Sequence, residues 1–277
     1  MLIDSHHHLW QYSPDQYPWI NDQMAVLRRD FWTDELKQVA SDHGVDGFVT
    51  VQARQSIAET ETLLQLADST PLIRGVVGWV DFRSPAVAEQ LDRFADASKL
   101  KGLRHVVQDE PDDRFILGED FNRGIRQLKS RGLVYDVLIF ARQLDPAIEF
   151  VAAHEDIPMV LDHIAKPVIG ESGIDADWQR GIDRLAALPN VTCKFSGVAT
   201  EVVGEQWDDE TVRPYWDKIL EAFTPDRLMF GSDWPVCLLR TEYGRWLETV
   251  RRLAAPLSSS EQEKIFSTTA QRVYDLE

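Results

Sequence analysis

Short, nearly continuous apolar runs alternate with amphipathic segments along the whole chain. Runs of this kind are typical of parallel strands that are covered on both faces, whereas strands with one wet face alternate apolar and polar residues. The pattern predicts eight strands, at Leu2–Ser5, Asp46–Val51, Ile73–Val80, Gly102–Val107, Val134–Ile139, Met159–His163, Val191–Ser196 and Leu228–Ser232.

The segments between the strands carry helical periodicity. Ser56–Ser69 places its apolar residues on one face, and Gly44 and Gly132 follow helical runs in the way that C-terminal glycines do. Eight strand-then-helix units in 277 residues average about 35 residues each, the size of a (β/α)8 unit. We therefore predict an α/β protein with one TIM barrel domain over residues 1–277. A doubly wound open sheet is the alternative, although no strand is followed by a glycine-rich nucleotide motif.

Composition and charge narrow the possible functions. The chain is 44% hydrophobic and 27% charged, which excludes a disordered or fibrous protein. Its 29 basic and 46 acidic residues give a net charge of −17, which disfavours nucleic acid and anionic lipid as partners. Cys193 and Cys237 are too few for a disulfide framework. The sequence shows neither a signal peptide nor a long apolar stretch, so we expect a cytoplasmic protein without membrane association.

The chemistry of a barrel lies at the carboxyl ends of its strands. The first predicted strand runs into three histidines, and strand alternation places His6 and His8 on one face and His7 on the other. Two imidazoles at this spacing can converge on one cation, and imidazole suits zinc. The alternative is a polar cluster without a metal.

Two further strand ends carry titratable residues. Asp233 follows the eighth strand, where it can bind a metal, act as a general base on water, or cap the next turn. His163 ends the sixth strand and is either a site residue or a core imidazole. Its neighbour Asp162 is expected to point the other way and to anchor a loop or a backbone amide.

Charged residues also interrupt apolar strands. Arg104 and Gln108 share one parity along the fourth strand, and Lys194 faces inward on the seventh. Burying such charges is unfavourable unless they are paired or face a wet cavity. They are candidates for ligand contact, and ion pairs with Asp136 or Asp162 are the competing interpretation.

Several motifs together resemble the sugar-lactonase branch of the amidohydrolase superfamily. They span the chain in barrel order: Asp4-Ser5-His6-His7-His8-Leu9-Trp10, Tyr17-Pro18-Trp19, Val51-Gln52-Ala53, Gly102-Leu103-Arg104-His105, Leu161-Asp162-His163-Ile164-Ala165-Lys166-Pro167, Cys193-Lys194-Phe195-Ser196-Gly197 and Gly231-Ser232-Asp233-Trp234-Pro235. Each motif alone is weak, but their order and placement are specific.

The resemblance implies a (β/α)8 barrel that hydrolyses the lactone of a sugar acid of the L-fuconic or L-rhamnonic type. It implies that His6, His8 and Asp233 bind a metal, and that Asp233 handles the proton of the attacking water. We expect His163 to be a second catalytic residue. The expected substrate contacts are Gln52, Arg104, Gln108, Lys194 and Trp234.

The fifth strand departs from the pattern, because single-zinc members commonly carry a histidine there and Val134–Ile139 has none. One divalent metal, zinc first, remains compatible with three protein ligands. A related branch that opens pyrone and muconate lactones needs no metal, so metal-independent hydrolysis stays open. The alternatives are a metal-dependent decarboxylase or an amidohydrolase that acts on another small carboxylate, or a non-catalytic sugar-binding protein. The sequence leaves the particular sugar and the oligomeric state open.

Overall fold

The computed structural model describes residues 1–170, 173–204 and 206–277. All eight predicted strands are present, and each pairs in parallel with its neighbour in chain order. The strands are β1 Ile3–His7, β2 Gly47–Val51, β3 Ile73–Gly78, β4 Leu100–His105, β5 Val134–Val137, β6 Met159–Leu161, β7 Val191–Phe195 and β8 Leu228–Phe230.

The first and last strands close the sheet. The Ser5 hydroxyl donates to the Phe230 carbonyl at 2.6 Å, and beyond the end of β8 the Asp233 N–H donates to the His6 carbonyl at 2.8 Å. The prediction of a (β/α)8 barrel is therefore confirmed.

Helices surround the barrel and follow the strands in turn. Leu63, Leu64 and Ala67 of the second helix are buried against it, as the periodicity predicts, and Gly44 ends the first helix in the left-handed conformation. The helices are α1 Thr33–His43, α2 Ile57–Ser69, α3 Val87–Asp92, α4 Glu119–Ile125, α5 Leu144–Ala152, α6 Ala176–Ala186, α7 Asp209–Phe223, α8 Tyr243–Ala254, α9 Ser259–Glu263 and α10 Thr269–Tyr274. Within the described ranges, none of them combines the length and apolar character needed to cross a membrane.

The core has two parts. A large apolar layer lies between the strands and the helices, and a smaller cluster that includes Val49, Val77 and Val160 fills the barrel interior. Ala270 and Tyr274 of α10 join the interior cluster, and the residues after α10 bond to the first residues of β3 and β4. The C-terminal helix therefore covers the amino-terminal end of the barrel.

Candidate active site

A cavity of about 110 Å³ opens at the carboxyl ends of the strands. Strand ends, the loop before α1 and the loops after β4, β6 and β8 contribute its walls. The lining residues are His8, Trp19, Gln52, Ala53, Arg104, Val106, Gln108, Asp109, Leu138, His163, Lys166, Asp233 and Val236.

The histidines of β1 separate as strand alternation predicts. His6 and His8 are buried with their Nε2 atoms 3.3 Å apart. His7 turns away from them, and its Nε2 lies 2.7 Å from the Thr50 hydroxyl on β2. The strand thus presents two imidazoles, not three, to the site.

The contacts of the ring nitrogens place a proton on Nδ1 of both imidazoles. His8 Nδ1 lies 2.8 Å from the Val51 carbonyl, which only accepts, so Nδ1 carries a proton. Arg104 Nη1, which only donates, lies 3.2 Å from His6 Nε2, so this nitrogen accepts and the proton is on Nδ1, 3.3 Å from Asp162 Oδ1. Burial holds the pKa of His6 well below its ordinary value, so its imidazole is neutral.

Asp233 lies beside the Nε2 atoms of both imidazoles. Its Oδ1 is 3.3 Å from His8 Nε2 and 3.7 Å from His6 Nε2. Burial raises the pKa of Asp233, but the charge that His163 carries once protonated, the hydrogen bond from His8 and the corresponding charge of His6 outweigh burial and hold the pKa below its ordinary range. Asp233 is therefore an ionised carboxylate at neutral pH.

The three side chains fit a divalent metal. Their ligand atoms lie within 4.8 Å of one another, and the separations of 3.3 to 3.7 Å are close to the edges of a tetrahedron with metal–ligand bonds of about 2.0–2.2 Å. Asp162 and the Val51 carbonyl hold the opposite ring nitrogens, as the partners of metal-ligating histidines do. His6, His8 and Asp233 could therefore hold one divalent ion.

A left-handed turn brings His163 into the cavity. His163, Ile164, Ala165 and Lys166 all have φ between 47° and 60°. The His163 Nδ1 lies 2.9 Å from the Ser196 hydroxyl, and its Nε2 lies 3.9 Å from Asp233 Oδ1. Burial lowers the pKa of His163 to about 4, so the ring is neutral at pH 7.

The expectation that Asp162 points away from the site is wrong. Its carboxylate lies 2.9 Å from Arg104 Nη1 and 3.1 Å from Lys194 Nζ inside the barrel. Asp162 follows Val160 by two residues and so shares its inward face. His163 reaches the cavity because the backbone leaves strand geometry after Asp162.

Arg104 and Lys194 both form the ion pairs that the sequence offers as the competing interpretation. Lys194 Nζ also lies 2.6 Å from Asp136 Oδ2, and the residue is completely buried. Arg104 donates from Nη2 to the Gln52 carbonyl at 2.6 Å. The two differ in position, because Arg104 lines the cavity and Lys194 lies beneath it.

The remaining predicted substrate contacts divide in the same way. Gln52 and Gln108 line the cavity, and Gln108 Oε1 is buried without a hydrogen-bond partner in the part of the chain that the structure describes. Trp234 instead packs edge-on against Phe31, and its carbonyl accepts the His8 N–H at 2.7 Å. The structure therefore brings His6, His8, His163, Asp233, Gln52, Arg104 and Gln108 together, and leaves Lys194 and Trp234 behind the cavity wall.

Comparison with known proteins agrees with this geometry. The model of the amidohydrolase family matches residues 3–276. The chain belongs to the amidohydrolase family. It is 42% identical to an L-fucono-1,5-lactonase of Burkholderia multivorans over 100% of this chain and 96% of that protein. It is 34% identical to an L-fucono-1,5-lactonase of Burkholderia ambifaria, over 88% of this chain and 85% of that one.

A solved structure is similar over its whole length. The crystal structure of an amidohydrolase from Burkholderia multivorans with bound zinc is 42% identical, with a TM-score of 0.96 and 100% of both chains covered. The resemblance to the sugar-lactonase branch is thereby confirmed, and this amidohydrolase is a hydrolase that acts on carboxylic ester bonds.

Three cavity residues of this amidohydrolase with an aromatic or charged side chain were not among the predicted site residues. Trp19 comes from the loop between β1 and α1, Asp109 follows β4, and Lys166 ends the left-handed turn. Trp19 and Lys166 stand inside the motifs that carry the resemblance, but strand parity assigns no direction to a loop residue. Motif position was the signal that could have found Trp19 and Lys166, whereas Asp109 stands outside the motifs.

Proposed function

We propose that this amidohydrolase opens the ring of a sugar-acid lactone of the L-fucono-1,5-lactone type, or its L-rhamnono counterpart, to the free aldonic acid. The convergence of Asp233 with His6 and His8 in one cavity carries the proposal, since water placed there has a carboxylate base beside it. The identity to two L-fucono-1,5-lactonases over most of the chain supports the substrate class.

In the proposed reaction, Asp233 accepts a proton from water as the water oxygen bonds to the lactone carbonyl carbon. Ring opening then breaks the bond from that carbon to the ring oxygen, and the ring oxygen takes a proton. His163 suits this second transfer, because with its own proton on Nδ1, toward the Ser196 hydroxyl, its free Nε2 can take the proton that Asp233 holds and pass it to the ring oxygen. General acid–base groups of this kind are worth roughly 10²–10⁴-fold in rate each.

The other cavity residues would position the sugar. The buried Gln108 Oε1 needs a donor, which a substrate hydroxyl can supply. Arg104 is held on Asp162 and the Gln52 carbonyl and offers its guanidinium to the lactone hydroxyls. Lys194 and Trp234 would act from behind the wall, Lys194 by neutralising Asp162 and Trp234 by holding the His8 backbone.

His6, His8 and Asp233 are the residues that would hold a zinc ion in this proposal. When bound, the ion would supply Lewis acidity toward the lactone carbonyl. Ester hydrolysis demands less of such polarisation than amide hydrolysis, so the same residues are also compatible with a metal-independent reaction.

A panel of sugar lactones, assayed with a pH indicator before and after chelation, tests the substrate class. We expect acid release from L-fucono- or L-rhamnonolactone. Chelation should remove part or all of this activity, and added zinc should restore it. A protein inert toward every lactone but active in releasing carbon dioxide from a small carboxylate would refute the proposal and favour the decarboxylase alternative.

The Asp233→Asn variant tests the base. Because the amide cannot take the proton of water, we expect kcat to fall by about 10²–10⁴-fold. Asp113→Asn, which removes an exposed carboxylate paired with Arg142, is the matched control and should keep wild-type kcat. Near-normal turnover by Asp233→Asn on every lactone that the wild type accepts would contradict the assignment.

A further inference from the structure

Lys166 occupies a strained position at the cavity. It is the last of four consecutive non-glycine residues with positive φ, at 47°. Side chains with a Cβ avoid this conformation, and runs of it persist where the surroundings enforce it, often at functional sites. His163 is the first residue of this run, and both His163 and Lys166 line the cavity.

The Lys166 ammonium makes only weak contacts with other side chains of the described residues. The nearest carboxylate among the described residues is Glu201, whose Oε1 lies 3.9 Å from Nζ, too far for a hydrogen bond. The ammonium also lies 5.6 Å from the centre of the Phe140 ring. It is therefore oriented by weak contacts and keeps its hydrogens available to a ligand.

The charges of the other two cations near the site are already paired with carboxylates. Arg104 donates to Asp162 and to the Gln52 carbonyl. Lys194 lies within 3.1 Å of Asp162 and Asp136 and does not reach the cavity. Within the described parts of the chain, Lys166 is thus the lysine that lines the cavity and can meet a new negative charge.

Resting on the proposed lactonase function, we propose that Lys166 is a further catalytic residue that stabilises the oxyanion. As the water oxygen bonds to the carbonyl carbon, the electron pair of the C=O bond moves onto its oxygen, and Lys166 Nζ donates a hydrogen bond to that oxygen. Ring opening turns the same oxygen into part of the product carboxylate, which Lys166 holds until release.

The variants Lys166→Met and Lys166→Arg test this role on L-fucono-1,5-lactone. Loss of one oxyanion donor lowers kcat by about 10²–10³-fold, and we expect Lys166→Met to do so with little change in KM. Lys166→Arg should recover much of the loss because it keeps the charge. Lys129→Met, which removes an exposed lysine paired with Asp156, should match the wild type.

Product binding gives a second measurement that does not depend on turnover. In calorimetry, Lys166→Met should bind the aldonate carboxylate about tenfold or more weakly than the wild type, because a charge-assisted hydrogen bond is lost. If Lys166→Met fails to fold by circular dichroism, Lys166→Asn replaces it, since asparagine tolerates positive φ better.

The two proposals fail in different ways. An active wild type whose Lys166→Met or Lys166→Asn variant stays within about threefold in kcat and in product affinity would overturn the role of Lys166 alone. A wild type that hydrolyses no lactone would overturn the proposed function before any variant is compared.

Discussion

Gly197 shows how one residue shapes the site without contributing a side chain. It follows β7 with φ of +64°, and a Cβ built there would lie 2.7 Å from His163 Nδ1 and 3.0 Å from Asp233 Oδ2. A side chain at this position would push both proposed catalytic groups. The glycine therefore leaves the space in which His163 and Asp233 approach each other.

We predict that Gly197→Ala folds but lowers kcat by about 10²-fold, because a displacement of the order of 1 Å at catalytic groups has that effect. The left-handed backbone should also reduce the free energy of unfolding by about 1–2 kcal/mol. Gly44→Ala is the matched control, since Gly44 has φ of +67° and nothing within 4 Å of a built Cβ.

Lactone hydrolysis and urea unfolding of the two variants separate geometry from strain. Gly44→Ala should lose similar stability and keep wild-type kcat. If Gly197→Ala also kept wild-type kcat, close packing around Asp233 would have no part in turnover.

At the scale of elements, the strands were predictable because each is a buried, mostly apolar run. Successive side chains along each run point to opposite faces of the sheet. That alternation gives His6 and His8 their common direction and places Lys194 inside the barrel. It fails where β6 ends, because the left-handed turn after Asp162 changes the direction of each following side chain. Asp162 and Lys166 were therefore misplaced or missed, although both stand in a recognised motif.

The C-terminal helix α10 contributes one polar contact to the barrel interior. The Tyr274 hydroxyl donates to Asp136, with its oxygen 2.7 and 2.9 Å from the two carboxylate oxygens. Asp136 in turn pairs with Lys194. The last helix thus helps to satisfy the buried charges on which the His6 and Asp162 arrangement rests.

We predict that Tyr274→Phe lowers the free energy of unfolding by about 1–3 kcal/mol, since a buried carboxylate loses a donor. Tyr135→Phe is the control, because the Tyr135 hydroxyl is buried without a partner among the residues described. Urea unfolding measures both. Equal losses in the two variants would show that the bond from Tyr274 to Asp136 adds no stability.

At the scale of the whole molecule, the free energy of unfolding depends on pH through buried carboxylates. Burial raises the pKa of Asp4 and of Asp136 to about 6, and that of Glu59 to about 7. A group whose pKa is raised by folding binds its proton more tightly in the folded state. Each of these carboxyl groups therefore adds to the free energy of unfolding at low pH. Its contribution is lost as the pH rises through its pKa in the folded state.

Glu59 allows this dependence to be measured away from the site. It lies on α2, accepts the N–H groups of Ala53 and Arg54 and the Tyr17 hydroxyl, and has the Arg54 guanidinium 3.8 Å away. These contacts lower its pKa, but burial outweighs them. Folding moves the pKa of Glu59 from 4.5 to about 7. The free energy of unfolding of the wild type should therefore fall by roughly 3 kcal/mol relative to that of Glu59→Gln between pH 4.5 and 7.5.

Denaturant unfolding of both proteins across that range checks the sign as well as the size. Relative to Glu59→Gln, the free energy of unfolding of the wild type should be highest below pH 4.5, where Glu59 is protonated in both the folded and the unfolded state. Glu61→Gln, an exposed glutamate on the same helix paired with Arg93, serves as control and should change far less with pH. The difference in free energy of unfolding between the wild type and Glu59→Gln could instead stay constant, or shift in favour of the wild type, as the pH rises. Either result would mean that Glu59 is charged in the folded protein throughout this range. Its backbone donors and Arg54 would then compensate for its burial.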